Sequence, residues 1–509
     1  MNETKPRVGL IMGALMVSML MSSLGQMIFA TALPTIVGDL GGVNHMSWVI
    51  TAFLLGQTVA LPIFGKLGDQ IGRKGLYLFV VVLFMVGSLI GGLATSMGIL
   101  IFARALQGIA GGGLMILTQA ITAEIVSARE RGKYMGLMGS VFGVSSVLGP
   151  VLGGWFTDGP GWRWGLWLNI PLGLFALFGA LFYLHLPKRA RSGRFDIIGS
   201  IVMIIATTCL ILFVTWGGNE YEWDSPMILS LIAGTFIFGA LFVWTELKVA
   251  EPIVPMSLFR SRNFVLTTVA GLAVGVFMFG ALGYLPTYLQ MVHELTPTNA
   301  GLMMIPMMVG LMGTSITVGN WVSRTGKYKM YPVVGLFIVA LGLYLLSTLH
   351  ADSSLVTVGG YFFVFGVGLG AAMQILVLIV QNSFPVSLVG TATGATNFFR
   401  QIGGSLGAAL VGGLFVGKLS DSLHTAIPEA LRSMGSAAAP YAEQFSGGSG
   451  SQDLTPAAVT HLPEALKTAI QVAYNDALTP IFFLLMPLAV FSALIVMAVR
   501  EEKLKETIS

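Results

Sequence analysis

A segment rich in glycine and charged residues could hold two parts of the chain together. It runs from residue 65 to residue 74 and contains Gly65, Asp69, Gly72 and Arg73. Glycine allows a tight turn and a close approach of helices, and a nearby carboxylate can pair with a basic group or cap another helix. We predict that four residues form a cytoplasmic gate, a contact that holds two halves of the protein closed on the cytoplasmic side: Gly65, Asp69, Gly72 and Arg73. The alternative is an ordinary charged turn between two helices.

Arg104 and Glu124 are candidates for moving a charge or a proton. Arg104 lies within a long apolar stretch, where a cation costs roughly a few kcal/mol unless it faces a cavity or a partner. Glu124 is the acidic residue placed most deeply in such a stretch, and burial can make a carboxylate a proton carrier. We predict that Glu124 binds a proton with Arg104 as its electrostatic partner. The structural alternatives are Arg104 bonded to helix-end carbonyls and Glu124 within a network of loop charges.

The elements that carry these residues are membrane-spanning helices. The chain of 509 residues is 55% apolar and only 10% charged, whereas soluble domains carry roughly 25% charged residues. Apolar stretches of about 20 residues are long enough to cross a bilayer, where the backbone must bond to itself as a helix. We predict an all-α membrane protein with about fourteen spans, at 9–33, 47–65, 76–96, 98–120, 134–156, 165–186, 197–217, 227–246, 264–290, 301–322, 331–349, 355–380, 395–417 and 479–499.

The chain also contains an internal repeat with an offset of 254 residues. This offset relates Gly65 to Gly319, and Gly136 to Gly390. Such a duplication predicts two six-helix halves with two helices inserted between them. We place the N-terminal half at 1–187, the inserted helices at 188–259 and the C-terminal half at 260–509, with a long outer loop at about 418–478.

The fifth span combines small residues with a proline. Small residues four apart let helices pack closely, and a proline bends a helix. A pliable helix of this kind could act as a hinge, although ordinary packing explains the same pattern. The predicted hinge residues are Gly143, Gly149, Pro150, Gly153 and Gly154.

Several segments resemble the major facilitator superfamily, and within it the fourteen-span drug:proton antiporters of the EmrB/QacA type. The segment 65–74 resembles the signature loop of the superfamily, 104–108 the second motif and 136–154 the antiporter motif. Further similarity lies at 162–173, 251–260 and 284–290. The resemblance implies two six-helix bundles plus two inserted helices, and secondary active export of drugs driven by protons.

The first span departs from that resemblance. The related branch usually reads Leu-Asp-x-Thr-Ile-Val, whereas this chain has Gly25 in place of the aspartate. A proton bound at Glu124, a charge carried by the substrate, and uncoupled transport are the alternatives that remain. Without this carboxylate we predict poor export of dications and better export of neutral or monocationic lipophiles, and Gly25→Asp should then raise dication transport.

A substrate cavity in such a protein should be apolar and adaptable. The chain contains 27 Met and 32 Phe, and flexible Met-rich surfaces suit promiscuous binding. Each candidate could instead serve packing or face lipid. We predict that the cavity is lined by Gln26, Met27, Trp48, Phe53, Phe277, Gln374, Gln381, Asn397, Phe398 and Arg400.

The predicted function is multidrug efflux: proton-driven export of lipophilic neutral or cationic compounds across the cell membrane. A selective exporter of one metabolite, antibiotic or lipid is the alternative, and a non-transporting receptor or scaffold is an alternative of another class. No Walker motif occurs, the histidines are scattered singly and no basic cluster is interleaved with aromatics. We therefore expect no enzymatic activity, no cofactor or metal site and no binding of nucleic acid. We expect a monomer whose partners are small lipophilic substrates, protons and the lipid bilayer.

The basic residues predict the orientation. Of 27 Lys and Arg residues, 21 fall in one set of alternating connections and termini and four in the other, which places both termini in the cytoplasm. In a Cys209→Ser background, we expect impermeant thiol reagents added to intact cells to label Ser420→Cys and Ser449→Cys. Protection of both sites would contradict the orientation.

Overall fold

The computed structural model describes residues 5–41, 45–186, 193–218, 220–435, 441, 456, 459 and 462–504. The regular elements of these residues are helices, as the apolar composition predicts. In chain order they are α1 (Lys5–Leu40), α2 (Met46–Ile71), α3 (Arg73–Gly92), α4 (Met97–Ile125), α5 (Ala128–Asp158), α6 (Arg163–Trp167), α7 (Asn169–Tyr183), α8 (Ile197–Trp216), α9 (Pro226–Lys248), a 3₁₀ helix (Met256–Arg260), α10 (Arg262–Leu282), α11 (Leu285–Val292), α12 (Pro297–Met303), α13 (Ile305–Thr325), α14 (Met330–Ser347), α15 (Leu355–Asn382), α16 (Val389–Met434) and α17 (Glu464–Met497).

Fourteen helical segments in the described part of the chain are long and apolar enough to cross a membrane, which confirms the predicted fold class. Three of these spans each contain two helices: α6 with α7, α10 with α11, and α12 with α13. Pro286 and Pro306 lie in the first turns of α11 and α13. Proline has no N–H to donate, and the first turn of a helix needs no such donor, so a helix readily begins at a proline.

Two boundaries differ from the sequence-based prediction. The gate segment is helical rather than a loop, because α2 continues to Ile71 and α3 begins at Arg73. Only Gly72 separates them, with a φ of 95° that suits glycine. The predicted outer loop at 418–478 is also shorter, since α16 extends to Met434 and α17 begins at Glu464. Ser449 lies outside the described residues.

The helices form two groups with an inserted hairpin at their side. Helices α1–α7 pack mainly on one another, as do α10–α17, and the groups meet chiefly where α2 contacts α16 and α5 contacts α13. Helices α8 and α9 pair with each other, and α8 lies against α2 and α16. In the most apolar window of α9 only 6% of residues are buried, so this helix faces lipid. The domain limits at 187 and 259 stay predictions.

Glycines bring the two groups into backbone contact at one end of the bundle, which we call the Asp69 end. A Cβ on Gly65 of α2 would lie 2.5 Å from the carbonyl oxygen of Gly390 in α16. A Cβ on Gly319 of α13 would likewise collide with the carbonyl oxygen of Gly132 in α5. The 254-residue offset relates Gly65 to Gly319, so the two contacts are counterparts in the repeat.

We expect Gly65→Ala to separate α2 from α16 at the Asp69 end, because a methyl group cannot share this space with a backbone carbonyl. Overpacking of this kind costs about 1–3 kcal/mol. Double electron–electron resonance between spin labels at Glu130 and Ser387, both exposed, should report a longer or broader distance. Gly75→Ala is the matched control, since a Cβ there meets no atom within 4 Å. An unchanged distance in Gly65→Ala would contradict the close contact.

Candidate functional site

Asp69 caps a helix of the opposite group. Its Oδ2 accepts hydrogen bonds from the backbone N–H of Thr391 at 2.7 Å and from the Thr391 hydroxyl at 2.9 Å. Its Oδ1 accepts from the backbone N–H of Gly390 at 3.3 Å. Gly390 and Thr391 lie in the first turn of α16, where Leu388 at the cap position makes no side-chain capping bond. The carboxylate of α2 therefore satisfies donors that the start of α16 leaves free, and its charge suits that end of the helix dipole.

Arg73 ties this cap to the rest of the structure. Its Nη2 donates to Asp69 Oδ1 at 2.7 Å and to the carbonyl oxygen of Val386 at 2.8 Å. Its Nη1 donates to Glu124 Oε2 at 2.8 Å and to the carbonyl oxygen of Ala120 at 2.9 Å. The Arg73 side chain is fully buried, so two carboxylates balance one desolvated cation. The network links α2, α3 and α4 to the connection before α16.

The contact between α5 and α13 uses the opposite charge. The Nε and Nη2 groups of Arg129 donate to the carbonyl oxygens of Ser323 and Arg324, at 3.0 and 2.9 Å. These carbonyls end α13, where a cation suits the helix dipole. Ser323 is the counterpart of Asp69 at the 254-residue offset. Sequence reasoning missed Arg129, although the repeat itself pointed to this second contact.

Arg104 is held by backbone and aromatic groups. Its Nη1 donates to the carbonyl oxygen of Gly25 at 2.9 Å, and its Nε to that of Val49 at 3.3 Å. The guanidinium lies over the rings of Phe29 and Phe53, 4.1 and 4.2 Å from their centroids. Aromatic faces stabilise a desolvated cation. Arg104 therefore joins α4 to α1 and α2, through carbonyls in the middle of α1 and the first turn of α2 rather than at the C-terminal ends of helices.

The predicted pairing of Arg104 with Glu124 is wrong. Both residues lie on the uninterrupted helix α4, and twenty residues of helix separate them by about 30 Å. Glu124 instead accepts a hydrogen bond from Arg73 at the Asp69 end. Glu124 therefore belongs to the hydrogen-bond network of Asp69 and Arg73, at the Asp69 end of the bundle.

The position of the missing aspartate keeps polar neighbours. A Cβ on Gly25 would lie 3.1 Å from Cζ of Phe84 and 3.9 Å from Nδ2 of Asn169. The Asn169 side chain is fully buried, and neither its amide oxygen nor its nitrogen has a hydrogen-bond partner among the described residues. A side chain at position 25 would therefore point toward α3 and α7, with Arg104 beside its backbone carbonyl.

A cavity lies between the two groups of helices. Its open volume is about 70 Å³, which is smaller than the roughly 300–1,000 Å³ of typical small-molecule sites, so the cavity is largely closed in this structure. Five glutamines, five methionines and one charged residue are among the side chains that line it: Met19, Ser22, Ser23, Gln26, Gln57, Met115, Gln119, Met138, Val141, Phe142, Met278, Phe279, Met373, Gln374, Arg400 and Gln401. Of the predicted lining residues, Gln26, Gln374 and Arg400 are present.

Five other predicted lining residues lie elsewhere: Met27, Trp48, Phe53, Phe277 and Phe398. Trp48 packs on Trp216 of α8, and Phe398 lines a separate apolar crevice beside α8 and α9. Met27 and Phe53 pack within the α1–α7 group and Phe277 within the α10–α17 group, because they occupy helix faces turned away from the cavity. The spacing of Met19, Ser22, Ser23 and Gln26 on α1 is the helical signal that would have identified the cavity-facing side.

Gln381 and Asn397 contact the cavity wall through Gln119. Asn397 Nδ2 donates to Gln119 Oε1 at 2.7 Å, and Gln381 Nε2 donates to the Gln119 carbonyl oxygen at 3.4 Å. These bonds join α4 to α15 and α16 across the two groups. Both residues thus belong to a buried polar layer behind the cavity rather than to its lining.

The hinge candidates have mixed surroundings within the single helix α5. A Cβ on Gly143 would lie 2.9 Å from Cγ of Met312 in α13, and one on Gly149 would collide with Met27 of α1. A Cβ on Gly154 would meet no atom within 4 Å, so close packing was wrongly predicted there. The other two hinge candidates, Pro150 and Gly153, lie between Gly149 and Gly154 in α5.

Comparisons with known proteins identify the family of the chain. A sequence model of the Major Facilitator Superfamily matches residues 15–408. The uncharacterized MFS-type transporter Rv1877 of Mycobacterium tuberculosis is 38% identical over 98% of this chain and 70% of its own. The multidrug transporter protein MdtP of Bacillus subtilis is 34% identical over 93% of this chain and 90% of its own, and multidrug resistance protein 3 of that species is 30% identical over 97% and 95%.

Solved structures show the same fold at low sequence identity. The human organic anion transporter MFSD10 aligns with a TM-score of 0.60 and 14% identity over 97% of this chain and all of that chain. The proton:xylose symporter XylE aligns with a TM-score of 0.60 and 13% identity over 99% of this chain and 98% of that chain. Together with the family match and the fourteen apolar spans, these alignments establish that the chain belongs to the Major Facilitator Superfamily.

Proposed function

We propose that the protein is a secondary active exporter of lipophilic drug-like compounds, driven by protons, in the plasma membrane with both termini cytoplasmic. Relatives at 30–34% identity that are named multidrug transporters support this proposal. So does a cavity enclosed by helices of both groups. The Asp69 end is then the cytoplasmic end, in keeping with the basic residues that flank it.

The capping of α16 by Asp69 carries the proposal. Alternating access requires bonds that close one end of the cavity and can be broken to open it. Asp69 meets this need because its four bonds extend to both helix groups. Loss of its charge frees the start of α16 and leaves Arg73 with one carboxylate fewer. The resulting change in free energy favours opening toward the cytoplasm.

The hydrogen-bond network of Asp69, Arg73 and Glu124 is also the site at which a proton would bind. Asp69 and Glu124 share Arg73, and a proton on either carboxylate would weaken its bond to that guanidinium. No carboxylate among the described residues pairs with Arg104, which donates to Gln107 Oε1 and acts as a positioning residue that fixes α4 against α1 and α2. Export would then be coupled to protonation through the stability of the closed cytoplasmic end.

The side chains that line the cavity limit the class of substrate. Its methionine and phenylalanine side chains accept a lipophilic body of variable shape, and its glutamines offer hydrogen bonds. None of the described lining residues is acidic, and Arg400 is the charged one. This wall favours neutral compounds over cations, and dications least of all.

We expect Asp69→Asn to abolish most export while leaving folding intact. Hydrogen bonds to a charged group contribute about 1.5–3 kcal/mol each, and losing one or two shifts a two-state equilibrium by more than tenfold. Dye efflux from cells should fall below about a tenth of the parent value, with similar protein yield and melting temperature. Asp224→Asn, at an exposed position, is the matched control. Normal efflux by Asp69→Asn would remove the residue from the mechanism.

We expect Gly25→Asp to make transport depend more strongly on a pH gradient. The new carboxylate would lie near the buried amide of Asn169 and near Arg104, where a proton can compete with the arginine. Because the side chain would point away from the cavity, dication transport should stay low, contrary to the sequence-based prediction. Gly25→Asn provides the same size without a titratable group. Equal pH dependence of the two variants in proteoliposomes, or a gain in dication transport, would refute this assignment.

A further inference from the structure

Arg400 differs from the other buried arginines in having no hydrogen-bond or ion-pair partner among the described residues. It lies in α16 about 17 Å from the start of that helix, near the middle of the bilayer, and is 7% exposed. Arg73, Arg104 and Arg131 all donate to carboxylates or carbonyls. Among the described residues, no group accepts a hydrogen bond from the Arg400 side chain and no carboxylate pairs with it. Buried charges are normally paired, because water no longer solvates them.

The surroundings of Arg400 fit an anionic ligand. Its side chain lines the cavity, whose described wall contains no carboxylate. Gln401 and Gln374, which also line the cavity, carry amide groups that can donate further hydrogen bonds to an anion. The methionines and phenylalanines of the same wall suit an apolar body. An unpaired guanidinium, amide donors and apolar walls thus share one cavity.

We propose that Arg400 binds the acidic group of a lipophilic monoanion, a carboxylate or sulfonate, whose apolar part occupies the methionine-lined side of the cavity. The planar guanidinium matches such a group with two parallel hydrogen bonds. The inference rests on the proposed export function and names its preferred substrate class. Neutral lipophiles still enter the cavity but make no use of the arginine.

An anionic substrate also provides a driving force. A membrane potential of 100 mV, negative inside, favours exit of one negative charge by about fiftyfold at equilibrium. Exchange of a monoanion for an entering proton moves two charges in the favourable electrical direction. The charge on the substrate thus adds to the driving force that the proton supplies.

The first experiment compares two fluorescent probes that differ in charge at one position, dansyl sulfonate and dansyl amide. Both are titrated into the purified full-length protein in lipid nanodiscs. We expect the parent protein to bind the sulfonate more tightly than the amide. Arg400→Gln should weaken sulfonate binding at least about tenfold and change amide binding less than about twofold. Arg400→Lys should retain part of the preference, because lysine keeps the charge without the planar fork.

The matched control is Arg432→Gln, which removes the same charge from an exposed position of the same helix and should leave both affinities unchanged. If Arg400→Gln does not fold, competition between the two probes on the parent protein and on Arg400→Lys still decides the question. Equal affinity of the parent for sulfonate and amide would overturn the proposal. So would sulfonate binding that survives in Arg400→Gln.

The second experiment measures sulfonate movement in proteoliposomes with a potassium gradient and valinomycin. We expect flux toward the positive side that grows with the potential, and that Arg400→Gln abolishes. Binding of the amide without preference or potential-driven flux for the sulfonate would reject the anion site and leave the export function standing. Failure of the parent protein to bind or move either probe would reject both.

Discussion

A charge within an apolar bundle is costly unless it is paired, and the pairs formed here determine how the helices are held. Arg73 is fully buried and is balanced by Asp69 and Glu124. Since Asp69 also caps α16, removing any one member leaves a desolvated group without its counterpart. The energetic consequence is a contact between the two helix groups that is either complete or broken. Such a contact suits a gate better than a hinge that bends gradually.

The two contacts at the Asp69 end solve the same packing problem with different chemistry. In both, glycines allow backbones to touch, and the repeat offset relates Gly65 to Gly319. One contact ends with a carboxylate on the start of α16, and the other with Arg129 on the end of α13. Protonation can neutralise the first but not the second. The two contacts therefore share glycine packing but differ in whether protonation could weaken them.

Arg104 and Arg400 show how one residue type takes two roles within one helical bundle. Phe29, Phe53 and two carbonyls surround Arg104 and leave little of its charge to act on a ligand. Arg400 has no such shell and lines the cavity. A charged residue within a span is functional by default, yet only the neighbours supplied by other helices distinguish a structural tie from a binding group.

The sequence alone determined the class of fold and indicated the segment that joins the two helix groups. Apolar runs longer than a bilayer is thick allow no other structure than helices, and the spacing of Gly65, Asp69 and Arg73 pointed to a cap across the two halves. Apart from α1, whose polar stripe marks the cavity side, the sequence could not decide which face of a span meets the cavity, since apolar residues lie on every face of a buried membrane helix. Tertiary structure decided that Glu124 pairs with Arg73, that Gly25 faces Asn169 and that Arg400 has no partner in the described part of the chain. These facts depend on helix rotation and on partners hundreds of residues away, which local spacing does not encode.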